Sequence, residues 1–352
     1  MPEPHTQYRA TFAVVLAGVA AYSLLQSLVL PVLPTIQHSL HTSQDAVTWV
    51  LTGYLLSASV FTPILGRIGD MIGKEKTFVV ALAALGVGSL VAALAPSIGV
   101  MIAARAIQGI GGGVFPLSFG IVRDVFPAQR VSAAIGVVAA LAAAGGGLGI
   151  VLAGPLVDIL DVHWLFWLPM IVVCLAAVAA QLVIPPSPVR AGGRINWLAG
   201  LLLSAWLVGL LVAVSEGPTW GWASTGVIGL ALASAALAAA WVLVELRSEH
   251  PLIDMRMMRV PAVWTTNVVA FLFGVGLYCA FAFLPEYLQT PRSAGYGFGA
   301  SVTRSGLFLL PMCVLMFVAG MASGRATRRA GSKNVLLLAG IVSFAAFLLL
   351  TL

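Results

Sequence analysis

The sequence predicts an all-α, polytopic membrane protein with about eleven transmembrane helices. Of 352 residues, 60% are hydrophobic and only 9% charged, whereas a soluble domain carries about 25% charged residues. Apolar runs of roughly 18 to 25 residues, each able to cross a ~30 Å hydrocarbon core as a helix, recur along nearly the whole chain. Strand-period alternation is absent from these runs, which argues against a membrane barrel.

The elements follow in order. Polar residues Met1 to Arg9 lead into a span at 10–36 without a small-residue cleavage site, so no removable signal peptide is expected. Further spans lie at 46–66, 77–95, 98–122, 131–157 and 163–184. The Pro-rich stretch PPSPVRAGGR at 185–194 interrupts the pattern. Spans at 196–214 and 222–246 come next, and a charged segment from Arg247 to Arg259 precedes spans at 262–288, 301–323 and 334–352. Three parts result: a six-span unit at 1–184, a linker with an inserted helix pair and polar loop at 185–259, and three spans at 260–352.

Charge sets the expected orientation. With the N-terminus cytoplasmic, every Lys and Arg except Arg105, Arg292 and Arg304 falls on the cytoplasmic side, Arg190 and Arg194 of the linker included. This asymmetry is the positive-inside pattern, and it accounts for the formal net charge of +6. No basic cluster with interleaved aromatics is present, so a nucleic-acid partner is not expected. The expected surroundings are a lipid bilayer. Cys174, Cys279 and Cys313 all fall in predicted spans, which indicates neither a disulfide framework nor a metal site. Histidines 5, 38, 41, 163 and 250 sit at termini or in loops, and no phosphate-cradling loop or nucleophile–base pair is found. No cofactor and no enzymatic chemistry are therefore expected.

Two short polar segments repeat. Gly66 to Lys76, GRIGDMIGKEK, reads as a tight cytoplasmic hinge in which Gly66 and Gly73 let two helices turn and pack closely, while Asp70 pairs with Arg67 or Lys74 or accepts from a helix N-terminus. A solvated loop that merely follows the charge rule is the alternative. Gly324 to Lys333, GRATRRAGSK, repeats its glycine spacing after a second proline-containing span. Such recurrence suits a parallel duplication.

Within the spans, Arg105 is the costliest residue. An ionisable side chain there faces a cavity or partner, or snorkels to an interface. Gln108 and Gly109 share its helix face, and Tyr22 and Gln26 of the first span are candidate partners and cavity groups, with Tyr54 of the second. Gly145, Gly149 and Ala153 form a small-residue ladder, widened by Gly154 and followed by Pro155. It serves either close helix contact with rocking or ordinary packing.

These residues resemble a known family. The segment 66–76 resembles the loop between helices 2 and 3 of the major facilitator superfamily, RAIQGIGGG at 105–113 its helix-4 motif, and GGGLGIVLAGP at 145–155 its helix-5 antiporter motif. WVLTGYL at 49–55 with Pro63, LPEYLQ at 284–289, SGLFLLP at 305–311 and the inserted pair are similar to the fourteen-helix drug:proton antiporter branch. The resemblance implies a major-facilitator-type helix bundle in a bacterial plasma membrane. It implies export of drugs or other amphipathic small molecules in exchange for protons, with the 66–76 segment (Gly66, Arg67, Asp70, Gly73, Lys74) as a gate latch. It also implies that Arg105 and Gln108 act in coupling, and that Gly145, Gly149, Gly154 and Pro155 limit leak.

Two departures stand out. Gln26 occupies the position where the branch carries a helix-1 Asp, and a neutral amide cannot titrate. Glu286 stands where the branch has an apolar residue, and is the candidate for proton binding. Transport without proton antiport, or binding without transport, therefore stays open. The sequence also reaches Leu352 as the eleventh span ends. Fourteen helices being the norm of the branch, a C-terminally truncated member is expected, with the latch counterpart at the start of a thirteenth helix outside it.

Overall fold

A computed structural model describes residues 4–188 and 195–349, so Arg190 and Arg194 lie outside the described residues. Every regular element described is helical: α1 (Pro4–Leu28), α2 (Leu33–Ser39), α3 (Gln44–Ile72), α4 (Lys74–Ala93), α5 (Ile98–Gly109), α6 (Val114–Val125), α7 (Ala128–Ile159), α8 (Trp164–Val183), α9 (Trp197–Trp220), α10 (Thr225–Arg247), α11 (Pro261–Gln289), α12 (Val302–Ala330) and α13 (Ser332–Leu349). They make eleven spans long and apolar enough to cross a membrane. The first span comprises α1 and α2, joined by a 3₁₀ turn that contains Pro31, and the fourth comprises α5 and α6, joined by a 3₁₀ turn at Ile110–Gly113. In lipid a helix satisfies its own backbone groups, and this explains the all-helical outcome.

The polar hinge expected at 66–76 is not a loop. Helix α3 continues through Gly66, Arg67 and Asp70 to Ile72, and α4 starts at Lys74, so Gly73 alone separates them. Gly73 has φ +121°, a conformation that needs glycine. The other glycine reading is corrected: a Cβ at Gly66 would meet nothing within 4 Å, whereas one at Gly69 would lie 2.4 Å from Leu117. Close packing belongs to Gly69 and the turn to Gly73. The repeat has the same form, because α12 runs through Gly324 to Ala330, Gly331 has φ +79°, and α13 follows at once.

Missing side chains set how closely the helices approach. The fourth span is wedged between α3 and α4: a Cβ at Gly109 would lie 2.6 Å from the Tyr54 carbonyl, and one at Gly88 2.7 Å from the Gln108 nitrogen. The α7 ladder has two sides. Gly145 and Gly149 abut Ser23 and Ser27 of α1, while Gly147 and Gly154 abut Cys313 and Thr303 of α12. Gly306 and Gly320 of α12 reciprocate against Val151 and Ala140, so α7 and α12 touch along most of their length. Pro155 lies inside α7, which is unbroken there.

The helix pair α9 and α10 leans on α3. The Trp49 indole N–H donates to Glu216 Oε1 at 3.0 Å across that contact. Asn196 caps α9 through the Ala199 N–H and also bonds Ser248. Glu245, buried at the end of α10, accepts from the Leu252 N–H at 2.9 Å and folds the polar loop back against the pair.

Gly149→Val should therefore lower the detergent unfolding midpoint by the equivalent of roughly 1–3 kcal/mol, because its Cβ would stand 2.0 Å from Ser27 Oγ and 2.8 Å from the Leu24 carbonyl. Gly66→Ala should leave it unchanged or raised. Equal losses in the two thermal scans would refute this account of the packing.

Candidate functional site

Arg105 lies on α5 with no solvent-exposed surface, so snorkelling is ruled out. Its Nε donates to the Val50 carbonyl at 3.2 Å, its Nη1 to Gln108 Oε1 at 2.7 Å, and its guanidinium carbon stands 4.3 Å from the centre of the Tyr54 ring. Gln108 passes the chain on, donating from Nε2 to Ser89 Oγ at 3.0 Å, and Ser89 donates to the Leu85 carbonyl. Three spans are tied to one charge. The expected partnership with the first span takes a different form. Tyr22 is within electrostatic reach of Tyr54 and Arg105, but the direct partners of the guanidinium come from α3 and from α5 itself.

Beside this network, α1, α6, α7 and α11 line a half-open cavity of ≈320 Å³. Of the three expected cavity residues only Gln26 lines it, with Ser23, Ser27 and Tyr278 as the other polar groups. Tyr22 and Tyr54 are buried one layer behind, Tyr22 edge-on to Phe115 at 5.6 Å between ring centres. Gln26 Nε2 donates to the Tyr278 hydroxyl, which joins α1 to α11.

Glu286 is not brought to this site. It is exposed near the end of α11, and its backbone carbonyl accepts from Thr290 N and Oγ1. Among the described residues its carboxylate takes part in no ion pair.

At the end of the bundle marked by Gly73, Lys74 bridges two acids. Its Nζ is 3.0 and 2.9 Å from the two carboxylate oxygens of Asp124 on α6, and 4.0 Å from Asp70, whose side chain is 52% exposed. Ser187, just past α8, closes the group: its Oγ donates to Asp124 at 3.1 Å and accepts from the Lys74 N–H at 3.2 Å, while its own N–H donates to Glu75 at 3.0 Å. Arg67 faces a different acid, lying within electrostatic reach of Glu245 on the inserted pair. Of the two local partners expected for Asp70, Lys74 alone is met. Sequence reasoning missed Asp124, Ser187, Ser89 and the Trp49–Glu216 bond. An acid or a serine in an apolar context was the available signal, since each needs a partner.

Replacing Gln108 by Leu should destabilise the folded chain by about 1.5–3 kcal/mol, because it strips a charged donor of its acceptor. Ser89→Ala should cost less, about 0.5–1.5 kcal/mol, since Gln108 keeps its bond to Arg105. Unfolding of the purified variants measures both, and the reverse ranking would show that Arg105 does not depend on Gln108.

The chain is 30% identical over 348 residues to an uncharacterized MFS-type transporter of Mycobacterium tuberculosis, covering 97% of this chain and 49% of that protein. It is 29% identical over 311 residues to multidrug resistance protein 3 of Bacillus subtilis, covering 88% and 60%. The chain thus spans about half the length of the curated relatives it matches. Among solved structures, the proton:xylose symporter XylE shares the fold, with a TM-score of 0.60 at 13% identity over 92% of this chain and 70% of that one. Residues 15–352 match the Major Facilitator Superfamily profile, and the chain belongs to that superfamily.

Proposed function

We propose that the chain acts in a secondary active transporter that exports drugs or other amphipathic small molecules by alternating access across a bacterial plasma membrane, in exchange for protons. The observation that carries this reading is a fully buried, hydrogen-bonded Arg105 held one residue layer from a cavity of ≈320 Å³. A charge kept out of water within the bilayer marks a pathway or a coupling site. The similarity to multidrug resistance protein 3 of Bacillus subtilis supports the substrate class. In this reading Arg105 and Gln108 bias the bundle between states, and Gly145, Gly149 and Gly154 give α7 smooth faces on which α1 and α12 rock. The parts 1–184 and 260–352 belong to opposite halves, and the pair at 197–247 rides on the first. The Gly66–Lys76 segment serves as latch, with Lys74 held by Asp124 and Asp70 left exposed for a partner.

A second reading, export without proton exchange, is favoured by one feature: no carboxylate lines the cavity among the described residues. Cells making the protein should accumulate less of an amphipathic dye than cells lacking it. An ionophore that collapses the pH gradient should abolish the difference. Undiminished export after collapse selects the second reading, and no difference at the outset sinks both.

The charge pattern supports a cytoplasmic N-terminus and a cytoplasmic latch. With Cys174, Cys279 and Cys313 changed to Ser, a cysteine at position 70 should react with a membrane-impermeant maleimide in inverted vesicles and not in intact cells. The opposite labelling pattern would reverse the orientation.

A further inference from the structure

We propose that the cavity between α1, α7 and α11 selects uncharged, ring-bearing amphipathic molecules over organic cations. This deepens the transport reading and rests on it. The volume of ≈320 Å³ is at the lower end of the roughly 300–1,000 Å³ that drug-sized ligands occupy. Phe115 and Phe281 offer ring surfaces to a planar ligand, and the polar groups, Ser23, Gln26, Ser27 and Tyr278, are all neutral.

No acid of the membrane helices lines the cavity among the described residues: Glu286 is exposed near the end of α11, Asp70 lies beside Lys74 at the Gly73 end of the bundle, and four others have partners away from it. Glu216 accepts from the Trp49 indole, Glu245 from the Leu252 N–H, Asp158 from Thr303 Oγ1 at 2.7 Å, and Asp124 from Lys74. The buried charge next to the cavity is positive. Arg105 lies against Tyr54, and Tyr22 stands between that pair and Phe115 of the cavity wall. An organic cation at the closed side of this half-open cavity would shed part of its hydration, find no counter-charge in the lining and feel the field of the nearby guanidinium. An uncharged molecule meets none of these penalties.

The neutral polar groups also have a use. Gln26 and Tyr278 bond each other across α1 and α11. Between them they present amide and hydroxyl donors and acceptors to a ligand carbonyl or hydroxyl that separates them. Selection then rests on shape and hydrogen bonding.

Equilibrium dialysis of the full chain in lipid nanodiscs tests this with two probes: an anthraquinone bearing a hydroxyethyl group, and the same ring bearing a trimethylammonioethyl group. The neutral probe should bind at least tenfold more tightly. Gln26→Glu should shift that ratio at least tenfold toward the cation. Equal or tighter binding of the cation by the unaltered chain would overturn the selectivity, as would an unchanged ratio in a folded Gln26→Glu protein. If neither probe binds while the helical spectrum is intact, the reading of this cavity as a substrate site falls, and the selectivity with it. The ratio in the unaltered chain decides the matter even if Gln26→Glu does not fold.

Discussion

A guanidinium with no route to water has to find all its compensation in the protein, and the first half of this chain is arranged around that demand. Arg105 takes a backbone carbonyl and a ring face from α3 and an amide from its own helix. Those contacts require three helices nearly in backbone contact, which the absent Cβ atoms of Gly88 and Gly109 permit. Ser89, next to Gly88, has one of the shortest polar side chains and still reaches Gln108. Glycine placement and the hydrogen bonding of Nε and Nη1 are thus two parts of one solution, while Nη2 is buried without a hydrogen-bond partner. Larger residues at the crossings would push the partners beyond hydrogen-bond range and leave the ion bare in lipid.

Much of this architecture was legible in the sequence. Eleven apolar runs and the family followed from composition, periodicity and motif, and the need of Arg105 for partners inside the bundle from its place within a span. Helix ends were less legible, because a charged segment on the aqueous side of a membrane reads as loop although it can remain helical. Residues 66–72 and 324–330 are helix for that reason. Gly66 was credited with a turn that only the backbone angle of Gly73 shows. Tyr22 and Tyr54 share a helical face with polar groups, yet their rings fill the layer behind the cavity instead of lining it. Partnerships between single residues far apart, such as Trp49 with Glu216 or Asp124 with Ser187, leave no local pattern to read.

The pair α9 and α10 is held against the side of the bundle along α3. Contact at one end of α3 comes through the Trp49–Glu216 bond, and at the other through the electrostatic approach of Arg67 to Glu245. An acid inside an apolar span is costly when alone, but an indole N–H satisfies it and fixes the register of the two helices.

The single-residue joints at Gly73 and Gly331 bear on how this protein can move. A loop of several residues between two spans absorbs displacement, because its torsions adjust independently. Here α3 and α4, and likewise α12 and α13, share a junction with one φ and one ψ to adjust. Such an elbow converts a tilt of one rod into a tilt of its neighbour with almost no lost motion. A displacement of one helix in either pair therefore has little slack in which to be lost before it reaches the other.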